Sequence, residues 1–293
     1  MHKEEKIIGI DIGGTKVHIG IVQAGKVLKE SKFSTSANAS KTQILGKITR
    51  GIEQLIQPDV IGIGIGVPGL VDEKLGIVHN VQNIPNWSKV YLKDHLQSYF
   101  EKPVYITNDA NIFVAGIKKY GAGKKYNNLV GITLGTGFGA GIIIDNTIYS
   151  GQYSSAGEYG GIPYLDKTLE DYCGGKFFQQ KLGISGKEVM ALAEKGNAKA
   201  LDIFQQYGHH VGNAIKIILY SISPQAIFLG GSIAKGYKYF KEAMEESIKD
   251  FPFKVITESL VIERVHMKNT AILGSAAIFQ MRLKKDELLK SFI

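Results

Sequence analysis

Residues 7–16 read IIGIDIGGTK, and this short stretch decides the prediction of the fold. The run is apolar enough for a buried strand, yet it carries a carboxylate at Asp11 and then breaks at Gly13 and Gly14. A buried carboxylate without a partner is costly, and glycines let the backbone turn sharply and approach a ligand closely. We therefore predict a ligand site at a turn between two strands.

The segments that follow predict an alternation of strands and helices. Residues 6–34 are typical of a three-strand meander, and the next segment predicts a helix that is capped by Ser40 and stopped by Pro58. A buried strand over residues 60–69 and a hairpin around Glu73–Gly76 come next. The strand contains a GxGxxG pattern, but no helix is predicted after it, so we do not expect a dinucleotide-binding fingerprint.

The chain then repeats its opening unit. Residues 129–146, LVGITLGTGFGAGIIIDN, echo the first hairpin, and Thr133 falls where Asp11 stands, an offset of 122 residues (133 minus 11). A third strand with terminal glycines covers residues 226–233, and a final helix is expected after Gly274. A duplicated strand–turn–strand unit with crossover helices indicates two related α/β domains that face each other.

The two glycine turns suggest a shared ligand. Turns of this kind present unpaired backbone N–H groups to anions, and two of them on facing domains would hold a polyphosphate from both sides. Asp11 would then have its partner, because a carboxylate beside a phosphate needs a hydrated Mg²⁺ between them. The alternative is two ordinary hairpins, and the recurrence of the turn at equivalent places favours the ligand site.

Three other segments carry polar side chains at predicted turns. Residues 107–111, TNDAN, lie between a predicted strand and a predicted helix. Asn and Asp are favoured helix caps, but three such residues in four positions also suit the recognition of several hydroxyl groups, with one carboxylate to accept a proton. Residues 156–161, AGEYGG, and 168–175, TLEDYCGG, each place a glutamate among glycines and aromatics. The alternative for both glutamates is a charge on a surface loop.

Composition narrows the class of protein. The 293 residues are enough for two domains, and the longest apolar stretch, residues 60–71, is too short to span a bilayer. A single cysteine and no apolar signal core favour a cytoplasmic protein. The net charge is +8, but 32 of the 35 basic residues are scattered lysines and only three are arginines, so we expect no nucleic-acid or membrane partner.

Six segments in order, DIGGTK, GIGVPGLVD, TNDAN, LGTGFGAGI, GEYGG and IFLGGSI, resemble the motifs of the ROK sugar kinases. The resemblance covers nearly the whole chain and implies an α/β fold with two actin-like ATPase (ribonuclease H-like) domains and an interdomain cleft. The first domain would cover residues 1–115 plus 276–293 and carry the first phosphate turn and the catalytic aspartate. The second would cover residues 116–275. A homodimer is also implied.

The resemblance assigns roles to individual residues. Asp109 would be the general base on the attacking sugar hydroxyl, and Asn108 would hydrogen-bond a neighbouring hydroxyl. Asp11 would hold Mg²⁺ through water. The other residues implied to bind the sugar are Asn83, Glu158 and Glu170. The residues implied to bind ATP are Gly13, Gly14, Thr15, Lys16, Thr133, Gly135, Thr136, Gly137, Gly230 and Gly231.

One departure from the family pattern concerns metal binding. Many members have a histidine where this chain has Gly161, followed by a cysteine-rich loop that holds a structural zinc. Here only eight residues separate Gly161 from Glu170, and Cys173 is the only cysteine, so no tetrahedral site of nitrogen and sulfur ligands can be assembled. We expect no zinc. The missing histidine also leaves the preferred hexose open.

The leading hypothesis is a Mg²⁺- and ATP-dependent hexose kinase that makes a sugar 6-phosphate from glucose or a related aldohexose. Fructose, an N-acetylated hexosamine and allose stay open as substrates. The alternatives are a sugar-binding pseudo-kinase and a sugar-responsive regulator. Repressors of this family carry an N-terminal helix-turn-helix domain, and we expect none here because the first predicted strand begins by Ile7.

Overall fold

A computed structural model describes residues 5–35, 39–81, 84 and 86–291, which form a mixed α/β fold. The strands are β1 (Lys6–Ile12), β2 (Lys16–Gln23), β3 (Lys26–Ser34), β4 (Val60–Val67), β5 (Leu70–Asp72), β6 (Ile77–His79), β7 (Lys89–Tyr91), β8 (Val104–Asn108), β9 (Leu129–Leu134), β10 (Phe138–Ile144), β11 (Thr147–Ile148), β12 (Pro163–Tyr164), β13 (Lys167–Thr168), β14 (Ala226–Gly230) and β15 (Val261–Arg264). The α-helices are α1 (Lys41–Glu53), α2 (Leu92–Phe100), α3 (Asp109–Tyr120), α4 (Leu169–Cys173), α5 (Gly175–Leu182), α6 (Gly186–Glu194), α7 (Ala198–Ile222), α8 (Tyr237–Ile248), α9 (Lys254–Ser259) and α10 (Thr270–Lys290).

The chain divides into two compact units. Unit 1 comprises the described residues within Met1–Lys125, Ile148–Ala156 and Met267–Ile293. Unit 2 comprises Tyr126–Thr147 and Gly157–His266. The domain bounds expected from the sequence, at 115/116 and 275/276, fall inside α3 and α10, and both helices lie wholly in unit 1.

Unit 1 is built on a five-stranded sheet in the order β3-β2-β1-β4-β8. Strands β1, β2 and β3 pair antiparallel and confirm the predicted meander, while β4 and β8 extend the sheet in parallel. The side chain of Ser40 accepts a hydrogen bond from the amide of Gln43, and the side chain of Gln43 accepts one from the amide of Ser40. This reciprocal cap starts α1 at the predicted place, since it satisfies donors that the first turn leaves free.

Unit 2 is built on a second five-stranded sheet in the order β11-β10-β9-β14-β15. Its β9–β10 hairpin lies beside parallel β14, just as the β1–β2 hairpin lies beside parallel β4, so the predicted repeat is confirmed. The two turns differ in length. Ile12 pairs with Val17 across a four-residue turn, whereas Leu134 pairs with Phe138 across a three-residue turn.

Helix α10 packs closely on the first sheet and on α3. A Cβ atom added to Gly64 of β4 would lie 1.9 Å from the carbonyl oxygen of Ser275, and one added to Gly274 would lie 1.6 Å from that of Ile112. The expected start of the last helix after Gly274 is wrong, because α10 begins at Thr270. Gly274 lies inside the helix, where only a glycine permits this crossing of α3.

The region after β4 forms a small antiparallel sheet in the order β5-β6-β7. The predicted hairpin is confirmed by the pairing of β5 with β6, and the chain enters β5 rather than a helix after Gly69. The GxGxxG pattern is therefore not a dinucleotide-binding turn. Within residues 5–35, 39–81, 84 and 86–291, no helix has the length and apolar character needed to cross a bilayer.

Candidate functional site

Asp11 lies near the end of β1, opposite Gly66 of β4 and His18 of β2. Among the described residues its carboxylate receives no hydrogen bond. Burial raises the pKa of Asp11 to about 6, and the nearby positive charge of Lys16 opposes this shift. A single carboxylate of this kind suits Mg²⁺, which keeps several waters and shares few protein ligands.

The first glycine turn is held by bonds within unit 1. The amide of Gly13 donates to the carbonyl oxygen of Lys16 at 2.8 Å, which closes the turn. Thr35 donates its amide to the carbonyl of Thr15 at 3.1 Å and its hydroxyl to the carbonyl of Gly14 at 2.8 Å. The sequence did not single out Thr35, because a threonine just after β3 is also what an ordinary strand end contains.

The second glycine turn lies beside the end of β14, where Gly230 is the last strand residue and Gly231 follows it. Gly230 pairs with Thr133, and Gly231 has a φ of +91° and approaches β9 so closely that an added Cβ would lie 2.3 Å from the carbonyl oxygen of Leu134. The carbonyl oxygen of Thr136 accepts a hydrogen bond from Gly175 at 3.0 Å. Unit 2 thus brings together the second glycine turn and Gly230 and Gly231, which the family resemblance implies bind ATP.

The TNDAN segment forms the junction of β8 and α3, as predicted. The side-chain oxygen of Asn108 accepts from the amide of Ala110 at 2.8 Å, and its side-chain nitrogen donates to the carbonyl of Gly69 at 3.1 Å. Asn108 is buried and caps the helix. Asp109 is the exposed first residue of α3, where the partial positive charge of the helix start stabilises an anion.

The two predicted sugar-binding glutamates lie near each other in unit 2. The carboxylate of Glu170 accepts a hydrogen bond from the amide of Phe138 at 3.1 Å, directly after the second glycine turn. Partial desolvation, with the negative charge of Glu170 as the smaller cause, raises the pKa of Glu158. A Cβ added to Gly161 would meet no atom within 4 Å, so there is room for a side chain at this position.

The predicted site residues are divided between the two units, and one of them is not described. Asn83 lies outside the described residues. Asp11, Asp109 and the first glycine turn belong to unit 1, whereas Glu158, Glu170 and the second glycine turn belong to unit 2. In the described part of the chain, no three His, Cys, Asp or Glu side chains are grouped to hold a metal ion, and Cys173 is buried.

Two similar sheets, each with a glycine turn after its first strand, define a protein of the two-domain actin-like ATPase fold. The chain belongs to the ROK family, whose family model matches residues 7–282. A glucokinase of Thermotoga maritima is 28% identical over 95% of this chain and 98% of its own. A xylose repressor of Bacillus spizizenii is 28% identical over 92% of this chain and 76% of its own. The crystal structure of a ROK family glucokinase from Streptomyces griseus in complex with glucose and AMPPNP superposes with a TM-score of 0.80 at 26% identity, covering 92% of this chain and 98% of that one.

Proposed function

We propose that this protein transfers a phosphoryl group from ATP to the 6-hydroxyl of a hexose, with glucose or a related aldohexose as the acceptor. The observation that carries the proposal is the repeated hairpin unit, in which only the first copy has, near the end of its strand, a partly buried carboxylate that lacks a hydrogen bond among the described residues. The glucokinases among the relatives support the reaction. The complex of the Streptomyces griseus enzyme with glucose and AMPPNP supports both substrates.

In this proposal the backbone amides of the two glycine turns bind the phosphates of ATP. Asp11 would hold Mg²⁺ through water, and the bound ion would supply positive charge next to the phosphates. Asp109 accepts the proton of the attacking hydroxyl late in the transfer, because the loose transition state of phosphoryl transfer asks more of positioning than of a strong base. Glu158 and Glu170 orient the sugar by accepting hydrogen bonds from its hydroxyl groups.

An assay of ADP release across a panel of glucose, fructose, allose and an N-acetylated hexosamine tests this proposal. We expect at least one hexose to stimulate ADP release in the presence of Mg²⁺. Asp109→Asn should lower kcat by about 10²-fold or more while sugar affinity stays nearly unchanged, because the amide cannot accept the proton. Asp94→Asn is the matched control, since Asp94 is also an exposed aspartate in a first helical turn of unit 1. Equal rates for Asp109→Asn and the wild type would contradict the assignment of the base.

A second candidate function is a sugar-responsive regulator without phosphoryl transfer. The observation that favours it is the similarity to a xylose repressor over 92% of this chain. A regulator would bind a monosaccharide in calorimetry and release no ADP with any sugar of the panel. A kinase would do both.

A further inference from the structure

A network of polar side chains in unit 1 adjoins the turn that carries Asp109. Glu73, just after β5, forms an ion pair with Arg282 of α10, and their side chains are only 20% and 26% exposed. The same carboxylate accepts a hydrogen bond from the hydroxyl of Thr107, which is completely buried. The charged pair, whose residues are 209 positions apart in the sequence, is therefore connected to Thr107, the second-last residue of β8.

The network brackets Asp109 in the sequence. Thr107 lies two residues before Asp109, and Asn111 lies two residues after it on the first turn of α3. The side-chain nitrogen of Asn111 donates to the hydroxyl oxygen of Thr107 at 3.0 Å. Because that hydroxyl donates to Glu73 and accepts from Asn111, it fixes the strand end and the helix start with respect to each other.

A second branch of the network holds the segment Ile148–Ala156. The guanidinium of Arg282 donates to the hydroxyl of Ser150 at 3.0 Å, and the hydroxyl of Ser154 donates to Glu73 at 3.0 Å. Both serines are buried. Along the chain this segment leads directly into Gly157 and Glu158, so the ion pair contacts the residues that precede a predicted sugar ligand.

Stability alone is a poor explanation for this arrangement. A largely buried ion pair loses most of its Coulomb energy to desolvation, and apolar residues of similar volume often serve as well or better. The pair does orient the side chains around it. The carboxylate of Glu73 accepts hydrogen bonds from Thr107 and Ser154, and the guanidinium of Arg282 donates one to Ser150, each with a defined geometry. Arg282 is also one of only three arginines in the chain.

We propose that Glu73 and Arg282 are positioning residues that act through Thr107 on the turn of Asp109 and through Ser150 and Ser154 on the segment leading to Glu158. The role rests on the proposed kinase function, because Asp109 is the base only in that reaction. Each residue of the pair acts through other side chains.

The variant Thr107→Val separates the ion pair from the turn with little change of shape. We expect kcat to fall about tenfold or more while the sugar Kd stays within about twofold, because a small displacement of the base slows transfer without removing a sugar contact. Thr107→Ser keeps the hydroxyl and should restore kcat to within about threefold of the wild type. The double variant Glu73→Gln/Thr107→Val should lose less kcat than the product of the two single losses, since both changes disrupt the same connection between Glu73 and Thr107.

Tyr105→Phe is the matched control. The hydroxyl of Tyr105 donates to Asp286, so this variant removes a direct bond between β8 and α10, two residues before Thr107 on β8 and about one helical turn after Arg282 on α10. We expect its kcat to stay within about twofold of the wild type. Equal losses of kcat in Tyr105→Phe and Thr107→Val would overturn the proposal, and so would an unchanged kcat in Thr107→Val.

Amide hydrogen exchange tests the positioning role without any kinase activity. Thr107→Val should speed exchange at residues 109–112 in the folded protein, and Tyr105→Phe should not, since only the first variant loosens the start of α3. If the wild type phosphorylates no hexose, the proposed function is wrong. The exchange measurement still tests whether Thr107 connects the ion pair to the start of α3. Unchanged exchange at residues 109–112 in Thr107→Val would overturn the link.

Discussion

Asp11 and Thr133 occupy the same position in two copies of one structural unit. Asp11 lies opposite Gly66 in the adjacent parallel strand, and Thr133 lies opposite Gly230. The hydroxyl of Thr133 donates to the carbonyl of Gly139 at 3.3 Å, whereas the carboxylate of Asp11 receives no hydrogen bond among the described residues. The fold therefore supplies a hydrogen-bond partner for the polar side chain in the second copy and none, among the described residues, for the carboxylate in the first.

Asp11→Asn should stabilise the folded protein at pH 8 and weaken binding of Mg²⁺–ATP. Burial raises the pKa of Asp11 from 3.8 to about 6. The folded protein therefore holds the proton more tightly than the unfolded chain does. The stability that this proton provides is fully present below pH 3.8 and is lost as the pH rises through 6. The neutral amide of the Asn variant avoids that loss. From the size of the pKa shift, the free energy of unfolding at pH 8 should rise by at most about 3 kcal/mol. Denaturant unfolding at pH 8 and pH 4 measures it.

The gain from Asp11→Asn should be nearly absent at pH 4, where the wild-type carboxyl is already protonated in the folded state. A gain of the same size at both pH values would show that charge burial is not its cause. Calorimetric titration with Mg²⁺ and a non-hydrolysable ATP analogue checks the loss of binding in the same samples.

Sugar binding should weaken as the pH falls, because protonated Glu158 accepts hydrogen bonds poorly from sugar hydroxyls. Desolvation and the charge of Glu170 raise the pKa of Glu158. Glu170→Gln removes the repelling charge and should move the midpoint of the pH dependence to lower pH, even though it also weakens binding. Sugar Kd values measured by calorimetry between pH 4 and 8 test this, and an unmoved midpoint would exclude the interaction between the two carboxylates.

Gly161→His should be tolerated and should lower the KM for the preferred hexose. Gly161 is exposed and a Cβ added there meets no atom within 4 Å, so the stability should change by no more than about 0.5 kcal/mol. Gly160→Ala is the contrasting variant, since its Cβ would lie 2.6 Å from the carbonyl oxygen of Phe138 and should destabilise the protein. A higher KM in a stable Gly161→His variant would argue that the open space accepts part of the substrate.

Purified protein washed with a chelator should contain no stoichiometric zinc. The segment between Gly161 and Glu170 has no cysteine or histidine, and the thiol of Cys173 is buried with its pKa raised by burial. Elemental analysis by mass spectrometry measures the metal content, and a melting temperature with and without EDTA provides a second readout. About one zinc per chain, or a chelator-sensitive melting temperature, would contradict this expectation.

The sequence predicts best those parts of the fold that depend on residues close to one another along the chain. The glycine turns, the cap at Ser40 and the β8–α3 junction each follow from residues that lie within a few positions of one another. The duplicated hairpin was visible because its two copies keep the same order of apolar residues and glycines. The difference in turn length was not visible, since the pairing register after the turn depends on which residues face each other across strands.

The parts that local sequence could not predict depend on distant pairs. Nothing near Glu73 or Arg282 indicates that these residues meet, and no periodic pattern marks the return of residues 148–156 to unit 1. The prediction that the last helix starts after Gly274 puts this glycine outside the helix. Its actual role, close contact with the backbone of Ile112, requires knowledge of which helix lies opposite.

Phosphorus NMR of the protein with ATP, Mg²⁺ and the hexoses of the panel tests the central claim most directly. Phosphoryl transfer predicts that the γ-phosphate signal of ATP is replaced one for one by the signal of a sugar 6-phosphate, and that Asp109→Asn suppresses this exchange. Unchanged ATP with every sugar, or release of inorganic phosphate at the same rate without a sugar, would contradict it.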